Sequence, residues 1–148
     1  MGAATTLHSE STKDACGFPR ASLALDIGGT KIAGAVVSNE PGAAPRITVR
    51  ETVPTEASRG GEAVLATVVE LAKKLAAAAG EPLAGIGVST AGRVDANDGS
   101  IAYANEIMPG WTNQPVRKAL EEALGIPAAV LNDVQAHALG EARWGAGR

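Results

Sequence analysis

The chain has 148 residues, of which 45% are hydrophobic and 20% are charged, and its formal net charge is −3. This length and composition are typical of one globular domain, and the small negative charge gives no reason to expect a nucleic acid or a membrane surface as partner. Cys16 is the only cysteine, which excludes an internal disulfide. Because the sequence also lacks a long apolar run and the apolar core of a leader peptide, we expect a cytoplasmic protein.

Apolar spacing divides the chain into elements. Residues 1–20 are polar and weakly patterned, so we expect a flexible tail there and one lobe over residues 21–148. Alternating apolar residues predict strands, and apolar residues at helical spacing predict helices. The predicted strands are Ser22–Gly28, Lys31–Ser38, Arg46–Thr55, Leu83–Ser89 and Ala128–Leu131; the predicted helices are Gly61–Ala79, about Asn113–Leu124, and one that Asn132 or Asp133 caps and that runs to about Trp144. This order predicts an α/β domain.

Two further local features accompany these elements. Thr112 or Asn113 can cap the second helix, with Pro115 in its first turn. Ala91–Gly110 is irregular, rich in Gly, Asp and Asn, and long enough to suggest a functional loop.

The joint between the first two strands, within "ALDIGGTKIAGAVV", has the composition of an anion-binding turn. Gly28 and Gly29 permit positive φ values and leave backbone N–H groups uncovered, and such groups form a concavity that suits an anion. Thr30 adds a hydroxyl donor. Asp26 cannot bind phosphate directly, but it can hold a water molecule or Mg²⁺ that contacts phosphate. The alternative is a plain tight turn with an aspartate at its edge.

A second candidate site is "VLNDVQAHALGE", at the carboxyl end of the last predicted strand. Ligands of α/β sheets gather at such ends. Asp133 is a candidate general base, and Asn132 is a candidate for orienting a substrate that carries hydroxyl groups. The alternative is that these residues only cap the helix that follows. His137 lies one helical turn beyond Asp133, but a structural or solvent-facing role is favoured for this single histidine.

A third stretch, Ser89–Trp111, follows a buried strand and carries Arg93, Asn105 and Glu106. Such side chains can bind sugar hydroxyls through hydrogen bonds, although the pattern alone is not specific.

Taken together, the three stretches resemble motifs of the ROK family (repressors, open reading frames and sugar kinases) within the actin/hexokinase-type ATPase superfamily. The similar segments are "LDIGGTKIAGAVV", "GIGVSTAGRVD…GSI…ANEIMPGW" and "VLNDVQAHALGEARWGAGR", and the similarity extends from about Leu23 to Arg148. It implies an α/β fold that forms the N-terminal lobe of an actin/hexokinase-like (ribonuclease H-like) ATPase, with a mixed sheet and flanking helices.

The resemblance also implies a role for the first motif in an ATP-dependent sugar kinase. Its turn would lie near the phosphates of ATP and a Mg²⁺ ion, which Asp26 would hold through water. The residues carried over to this turn are Asp26, Gly28, Gly29, Thr30 and Lys31.

For the sugar side, the resemblance implies contacts from Gly92, Arg93, Asn105 and Asn132. Asp133 occupies the position of the catalytic base that deprotonates the accepting hydroxyl. Phosphoryl transfer requires little beyond such positioning, a metal ion and a hydroxyl acceptor near a base.

The substrate is inferred from two departures from the family's glucokinases. Many of these carry a Pro-Gly-Pro-type stretch where this chain has Ser89–Arg93, and they usually have Asn where this chain has Gln135. Both departures are similar to the N-acylmannosamine kinase branch, which implies phosphorylation of the 6-hydroxyl of N-acetylmannosamine. Glucokinase or another ROK hexose kinase is the alternative. A repressor-derived domain is less expected, because the roughly twenty residues before Leu23 are too few for a DNA-binding helix-turn-helix. A non-catalytic sugar-binding domain is also less expected, and it is considered mainly because the second half of the family's kinases is missing.

Kinases of the family continue with a second glycine-rich phosphate motif, a His/Cys zinc site and further sugar-binding residues. We therefore expect this chain to be the N-terminal portion of a longer kinase that forms a homodimer when full length. The resemblance places structural zinc only in the part that this chain lacks. We expect the isolated 148 residues to bind nucleotide weakly and to show no turnover.

Overall fold

A computed structural model describes residues 20–145 of the chain. It contains seven strands, three α-helices and one short 3₁₀ turn within those residues. The strands are β1 (Ala21–Ile27), β2 (Lys31–Ser38), β3 (Arg46–Pro54), β4 (Leu83–Thr90), β5 (Arg93–Val94), β6 (Ile101–Tyr103) and β7 (Ala128–Asn132); the helices are α1 (Gly61–Ala78), α2 (Val116–Leu124) and α3 (Asp133–Trp144), and the 3₁₀ turn is Ala57–Arg59.

Five strands form one mixed sheet in the order β3-β2-β1-β4-β7. The pairs β1–β2 and β2–β3 are antiparallel, whereas β1–β4 and β4–β7 are parallel. Helices connect the parallel strands, since a parallel pair needs a long crossover connection. The predicted mixed sheet with flanking helices is therefore confirmed.

The hydrophobic core lies on one face of this sheet. In β1 the residues Leu23, Leu25 and Ile27 are buried while the intervening Ala24 and Asp26 are exposed, as the period of a strand requires. Helix α1 packs against the buried face through one stripe of side chains at helical spacing. Its buried residues are Gly61, Val64, Val68, Leu71, Ala72 and Leu75.

The opposite face of the sheet carries small or polar side chains. Ala24, Gly87 and Ala129 lie side by side on β1, β4 and β7, and all three are exposed. Helix α3 buries none of its described residues. The stability of the described part therefore comes mainly from the α1 side.

The predicted start of the second helix is wrong. Helix α2 begins at Val116 with Pro115 as its N-cap and no side-chain capping bond, and Asn113 has a φ of 70°. Proline disfavours the α conformation in the residue before it, so Pro115 keeps Gln114 out of the helix. The Thr112 hydroxyl accepts a hydrogen bond from the Ala104 N–H at 2.9 Å instead of capping the helix.

Other differences from the predicted elements are small. The segment Ala91–Gly110, predicted as irregular, contains the antiparallel hairpin of β5 and β6. Several boundaries elsewhere differ by one residue, which is the usual uncertainty of helix and strand ends. The tail predicted over residues 1–20 lies outside the described residues except for Arg20, whose guanidinium pairs with Glu40 at 3.1 Å. Cys16 also lies outside them. None of the helices in residues 20–145 combines the length and apolarity needed to cross a bilayer.

Candidate functional site

The parallel strands bring the three sequence motifs to one edge of the sheet. Ile27 at the end of β1 is in register with Thr90 at the end of β4, and Thr90 is in register with Asn132 at the end of β7. With neighbouring strands about 4.8 Å apart, the ends of β1 and β7 lie about 10 Å from each other. Asp26 therefore lies one residue before this edge and Asp133 one residue after it.

The turn between β1 and β2 is held by Thr55, which follows β3. The buried Thr55 hydroxyl donates to the Gly28 carbonyl at 2.7 Å, and the Thr55 N–H donates to the Thr30 carbonyl at 2.9 Å. The Gly28 N–H donates to the Lys31 carbonyl at 3.0 Å. These three bonds fix the turn while Thr30 and Lys31 remain exposed.

The predicted reason for the two glycines is wrong. Neither Gly28 nor Gly29 has a positive φ, and the Gly28 N–H is bonded within the turn rather than uncovered. Space is the requirement instead. A Cβ on Gly29 would lie 2.7 Å from Cγ2 of Ile107, and one on Gly28 would lie 3.2 Å from the Lys31 carbonyl oxygen. Glycine at position 29 allows the loop that carries Ile107 to cover the turn.

Asp26 lies on the face of β1 opposite the core and is exposed, in register with Ser89 of β4. A single exposed carboxylate beside the glycine turn is compatible with Mg²⁺, which keeps several water ligands and binds through one or two carboxylates together with substrate phosphates. The donor set therefore fits a magnesium ion held largely by water and phosphate.

Asn132 is the N-cap of α3, as one interpretation of the motif predicted. Its Oδ1 accepts from the Val134 N–H at 2.9 Å, and its own N–H donates to Oε1 of Gln135 at 3.3 Å, which completes a capping box. Its Nδ2 donates to the Gly92 carbonyl at 2.6 Å. Asn132 thus joins the end of β7 to the loop that follows β4.

Asp133 is the first residue of α3 and is exposed. Its Oδ1 accepts a hydrogen bond from the Val134 N–H at 2.9 Å. His137, one turn later, is exposed.

The remaining candidates lie around the hairpin of β5 and β6. Gly92 has a φ of 92°, and a Cβ there would lie 2.6 Å from the Tyr103 carbonyl oxygen, so both conformation and space require glycine. Arg93 is the first residue of β5 and is exposed. Asn105 is exposed, and its Oδ1 accepts from the Ile107 N–H at 3.1 Å.

A concavity of about 880 Å³ lies beside Asn105. It is lined by Tyr103, Ala104, Asn105, Glu106, Ile107, Met108, Pro109 and Gly110. Ile107, which is 69% exposed, connects this surface to the turn at Gly29. The candidate sugar loop and the candidate phosphate turn are therefore in direct contact.

Sequence reasoning missed four residues of this arrangement: Thr55, Thr90, Ile107 and Trp111. The buried position of Thr90 could have been predicted from the sequence. Ile86, Val88 and Thr90 alternate along β4 and are all buried. This period places the Thr90 hydroxyl on the buried face, where a polar group needs a partner.

The ROK family model matches residues 22–148. The chain belongs to the ROK family.

Relatives of this ROK chain include kinases of two specificities. The N-acetylmannosamine kinase of Escherichia fergusonii is 34% identical over 120 residues, which cover 80% of this chain and 38% of that protein. The glucokinase of Streptomyces coelicolor is 31% identical over 126 residues, which cover 85% of this chain and 37% of that protein. The ROK chain therefore spans somewhat under two fifths of the length of these two relatives.

Solved structures agree with the fold. The ROK family glucokinase of Streptomyces griseus, in complex with glucose and AMPPNP, superimposes with a TM-score of 0.72 at 30% sequence identity, over 86% of this chain and 38% of that one. The predicted resemblance to sugar kinases of this family is thus confirmed.

Zinc was expected only outside this chain. Within residues 20–145, no group of three or more His, Cys, Asp or Glu side chains is arranged to hold a metal ion.

Proposed function

We propose that this ROK chain forms the nucleotide- and sugar-binding lobe of an ATP-dependent kinase that phosphorylates the 6-hydroxyl of N-acetylmannosamine. The main support is the shared register of Ile27, Thr90 and Asn132, because it puts the glycine turn and Asp133 at one edge of the sheet. The presence of sugar kinases among the relatives agrees with this assignment.

At the phosphate side, the turn of Gly28, Gly29 and Thr30 would receive the phosphates of ATP, with Lys31 beside them. Thr55 holds the turn from the core side, so little reorganisation is needed when nucleotide binds. Asp26 would hold Mg²⁺ through water. When bound, the ion neutralises charge that develops on the phosphate oxygens.

At the sugar side, Gly92, Arg93, Asn105 and Asn132 would surround the substrate. Asp133 would accept the proton of the sugar's 6-hydroxyl. The hydroxyl oxygen would form a bond to the γ-phosphorus of ATP while the bond between that phosphorus and ADP breaks. Asp133 suits this role because its carboxylate is exposed at the edge of the sheet, where a substrate hydroxyl can reach it. Oδ1 and Nδ2 of Asn132 each make one hydrogen bond within the chain, which holds Gly92 and the start of α3 in place, and the second N–H of Nδ2 is left for the substrate.

The choice of N-acetylmannosamine rests on Ser89–Arg93 and Gln135. In the structure Oε1 of Gln135 accepts a hydrogen bond from the Asn132 N–H, so one route by which Gln135 would affect specificity is the capping box. Glucokinase is the alternative, and the Streptomyces coelicolor glucokinase at 31% identity favours it about as much as the N-acetylmannosamine kinases favour the first assignment.

The test is ATP-dependent phosphorylation by the intact protein, which we propose is a longer, homodimeric kinase, with kcat/KM compared for N-acetylmannosamine and glucose. A higher value for N-acetylmannosamine supports the proposal, and a higher value for glucose selects the alternative. Phosphorylation of neither sugar, nor of any other hexose, would show that the proposed function is wrong. Sugar-dependent ATP consumption by the isolated 148 residues would contradict the expectation that they show no turnover.

Asp133→Asn tests the catalytic base in the same assay. We expect kcat to fall by roughly 10²–10⁴-fold, the usual contribution of a positioned base, with sugar affinity retained. Asp98→Asn is the matched control, because Asp98 is an exposed aspartate in the turn between β5 and β6, a turn that contains none of the candidate site residues, and the amide oxygen can still accept from Ser100. Normal turnover by the Asp133 variant would exclude the assigned base.

A further inference from the structure

Thr90 and Trp111 form a hydrogen-bonded pair with no exposed surface. Both residues are 0% exposed, and the indole Nε1–H donates to the Thr90 Oγ1 at 3.1 Å. The Thr90 hydroxyl in turn donates to the Ala91 carbonyl at 3.0 Å. Buried indole and hydroxyl groups need such partners. In this arrangement both buried polar groups are satisfied.

The residues after Thr90 extend this network to both neighbouring strand ends. The Ala91 N–H donates to the Ile27 carbonyl at 3.0 Å, which ties β4 to the last residue before the glycine turn. The Gly92 carbonyl accepts from Nδ2 of Asn132 at 2.6 Å, which ties it to the residue before Asp133. Thr90, Ala91 and Gly92 thus form hydrogen bonds with Trp111, with β1 and with β7, respectively.

Trp111 also closes the loop that covers the glycine turn. Its N–H donates to the Met108 carbonyl at 3.1 Å, and the Met108 N–H donates to the Asn105 carbonyl at 3.1 Å. The segment that these two bonds span contains Ile107, whose Cγ2 lies against Gly29. The indole therefore sits between the loop on one side and the strand ends on the other.

We propose that Trp111 is a positioning residue, which acts through the Thr90 hydroxyl to set the placement of the glycine turn relative to Asn132 and Asp133. This inference rests on the proposed kinase function for its catalytic consequence. Trp111 itself has no exposed surface, so it acts on the rate through other residues rather than by binding substrate. Small displacements of reacting groups lower rates by large factors, whereas binding of each substrate to its own half of the site is less affected.

The kinetic test compares Thr90→Val, Thr90→Ser and Trp111→Phe in the intact enzyme, with rates normalised to folded protein. Valine removes the hydroxyl at nearly constant volume, and we expect kcat to fall by roughly tenfold or more while each KM changes by less than about threefold. Thr90→Ser keeps the hydroxyl and should return kcat to within about twofold of wild type. Adding Trp111→Phe to Thr90→Val should lower kcat no further than Thr90→Val alone, because Thr90→Val has already removed the bond to the indole.

Thr67→Val is the matched control for the loss of a threonine hydroxyl. The Thr67 hydroxyl donates to the Ala63 carbonyl within the same helix, α1. A purely structural role for the Trp111–Thr90 bond predicts a lower melting temperature for Thr90→Val with an unchanged kcat. That result would overturn the inference, as would a fall in kcat of equal size for Thr67→Val.

A second measurement separates this inference from the proposed function, because it requires no activity. The indole Nε1–H resonance of Trp111 is assigned by NMR in a Trp144→Phe background. Asn132→Ala removes the bond to Gly92 without touching the indole, and the network predicts that the resonance shifts; Thr67→Val should leave it in place. An unmoved resonance in the Asn132 variant would overturn the inference even in an active kinase, whereas a shifted resonance in a protein that phosphorylates no sugar would refute the proposed function alone.

Discussion

Gly34 in β2 provides a quantitative test of how α1 packs on the sheet. A Cβ at this position would overlap Cδ1 of Leu75 and would lie 3.2 Å from Cδ2 of Leu25 and 3.3 Å from Cδ2 of Leu71. All three leucines are at most 3% exposed, so none can rotate into solvent. Gly34→Ala therefore forces an extra methyl group into a filled space.

The expected size of the effect follows from two opposing contributions. Overpacking a core costs about 1–3 kcal/mol. Replacing glycine by alanine inside a strand raises the free energy of unfolding by about 0.5–1 kcal/mol, because the unfolded chain has less conformational freedom. Taking the middle of both ranges, about 2 kcal/mol against about 0.75 kcal/mol, we expect Gly34→Ala to lower the free energy of unfolding by about 1 kcal/mol and Tm by roughly 3–5 °C.

Denaturant unfolding of Gly34→Ala, Leu75→Ala and the double variant measures this directly. Leu75→Ala alone should cost about 2–5 kcal/mol. Because it removes the atom that the new methyl group overlaps, the double variant should be more stable than the sum of the single changes by about 0.5–3 kcal/mol. Additive effects, or a Gly34→Ala protein as stable as wild type, would refute the described contact between α1 and β2.

Gly87→Ala is the matched control. Gly87 also lies inside a strand, but it is exposed and a Cβ there would have no heavy atom within 4 Å. The same substitution should therefore stabilise the protein by about 0.5–1 kcal/mol. A loss of stability in this variant would indicate that backbone effects, rather than packing, govern both sites.

Three further predictions concern the site and its surroundings. Thr55→Val removes the hydroxyl that donates to Gly28 and should lower stability by about 1–3 kcal/mol, measured by denaturant unfolding, and raise the KM for ATP, whereas Thr67→Val should leave that KM unchanged. Gly61→Ala would overlap the Gly110 carbonyl oxygen, so we expect a loss of about 1–3 kcal/mol in the same unfolding measurement. Bonds from the Ser100 side chain and backbone N–H hold the pKa of Asp98 below its ordinary value. A lowered pKa stabilises the folded state above the unfolded-state pKa, and this contribution disappears as pH falls through the folded-state pKa. Carboxyl NMR titration of wild type and Ser100→Ala should show the midpoint rising in the variant, and an unchanged midpoint would contradict the assigned cause.

Much of the fold could be predicted because its main elements have strict periods. The alternation of Leu23, Leu25 and Ile27 defines β1, and the stripe of α1 defines the helix that covers it. The start of α2 could not be found from capping residues alone, because Thr112 has a hydrogen-bonding role in the loop and Pro115 limits the helix. The two strands β5 and β6 are too short for any period to be detected.

Part of the candidate site could also be predicted from the sequence. Asn132 and Asp133 follow a strand of a parallel pair, so their place at the carboxyl edge follows from the topology. The contact between Gly29 and Ile107 depends on the path of a loop with no periodic pattern, and composition suggested a conformational reason for Gly29 where the structure gives a steric one. Local sequence shows which residue types are present but not which loop lies above them.

The register of the edge also determines the order in which the site can form during folding. The turn between β1 and β2 joins adjacent strands, and such a hairpin closes within microseconds. The pairing of Ile27 with Thr90 and of Thr90 with Asn132 must each close a long stretch of intervening chain. Long-range contacts of this kind form slowly, because closing the loop lowers the conformational entropy of the chain before the new contacts stabilise it. The glycine turn is therefore an early, local structure, whereas the edge that joins it to Asp133 exists only after nearly the whole sheet has assembled.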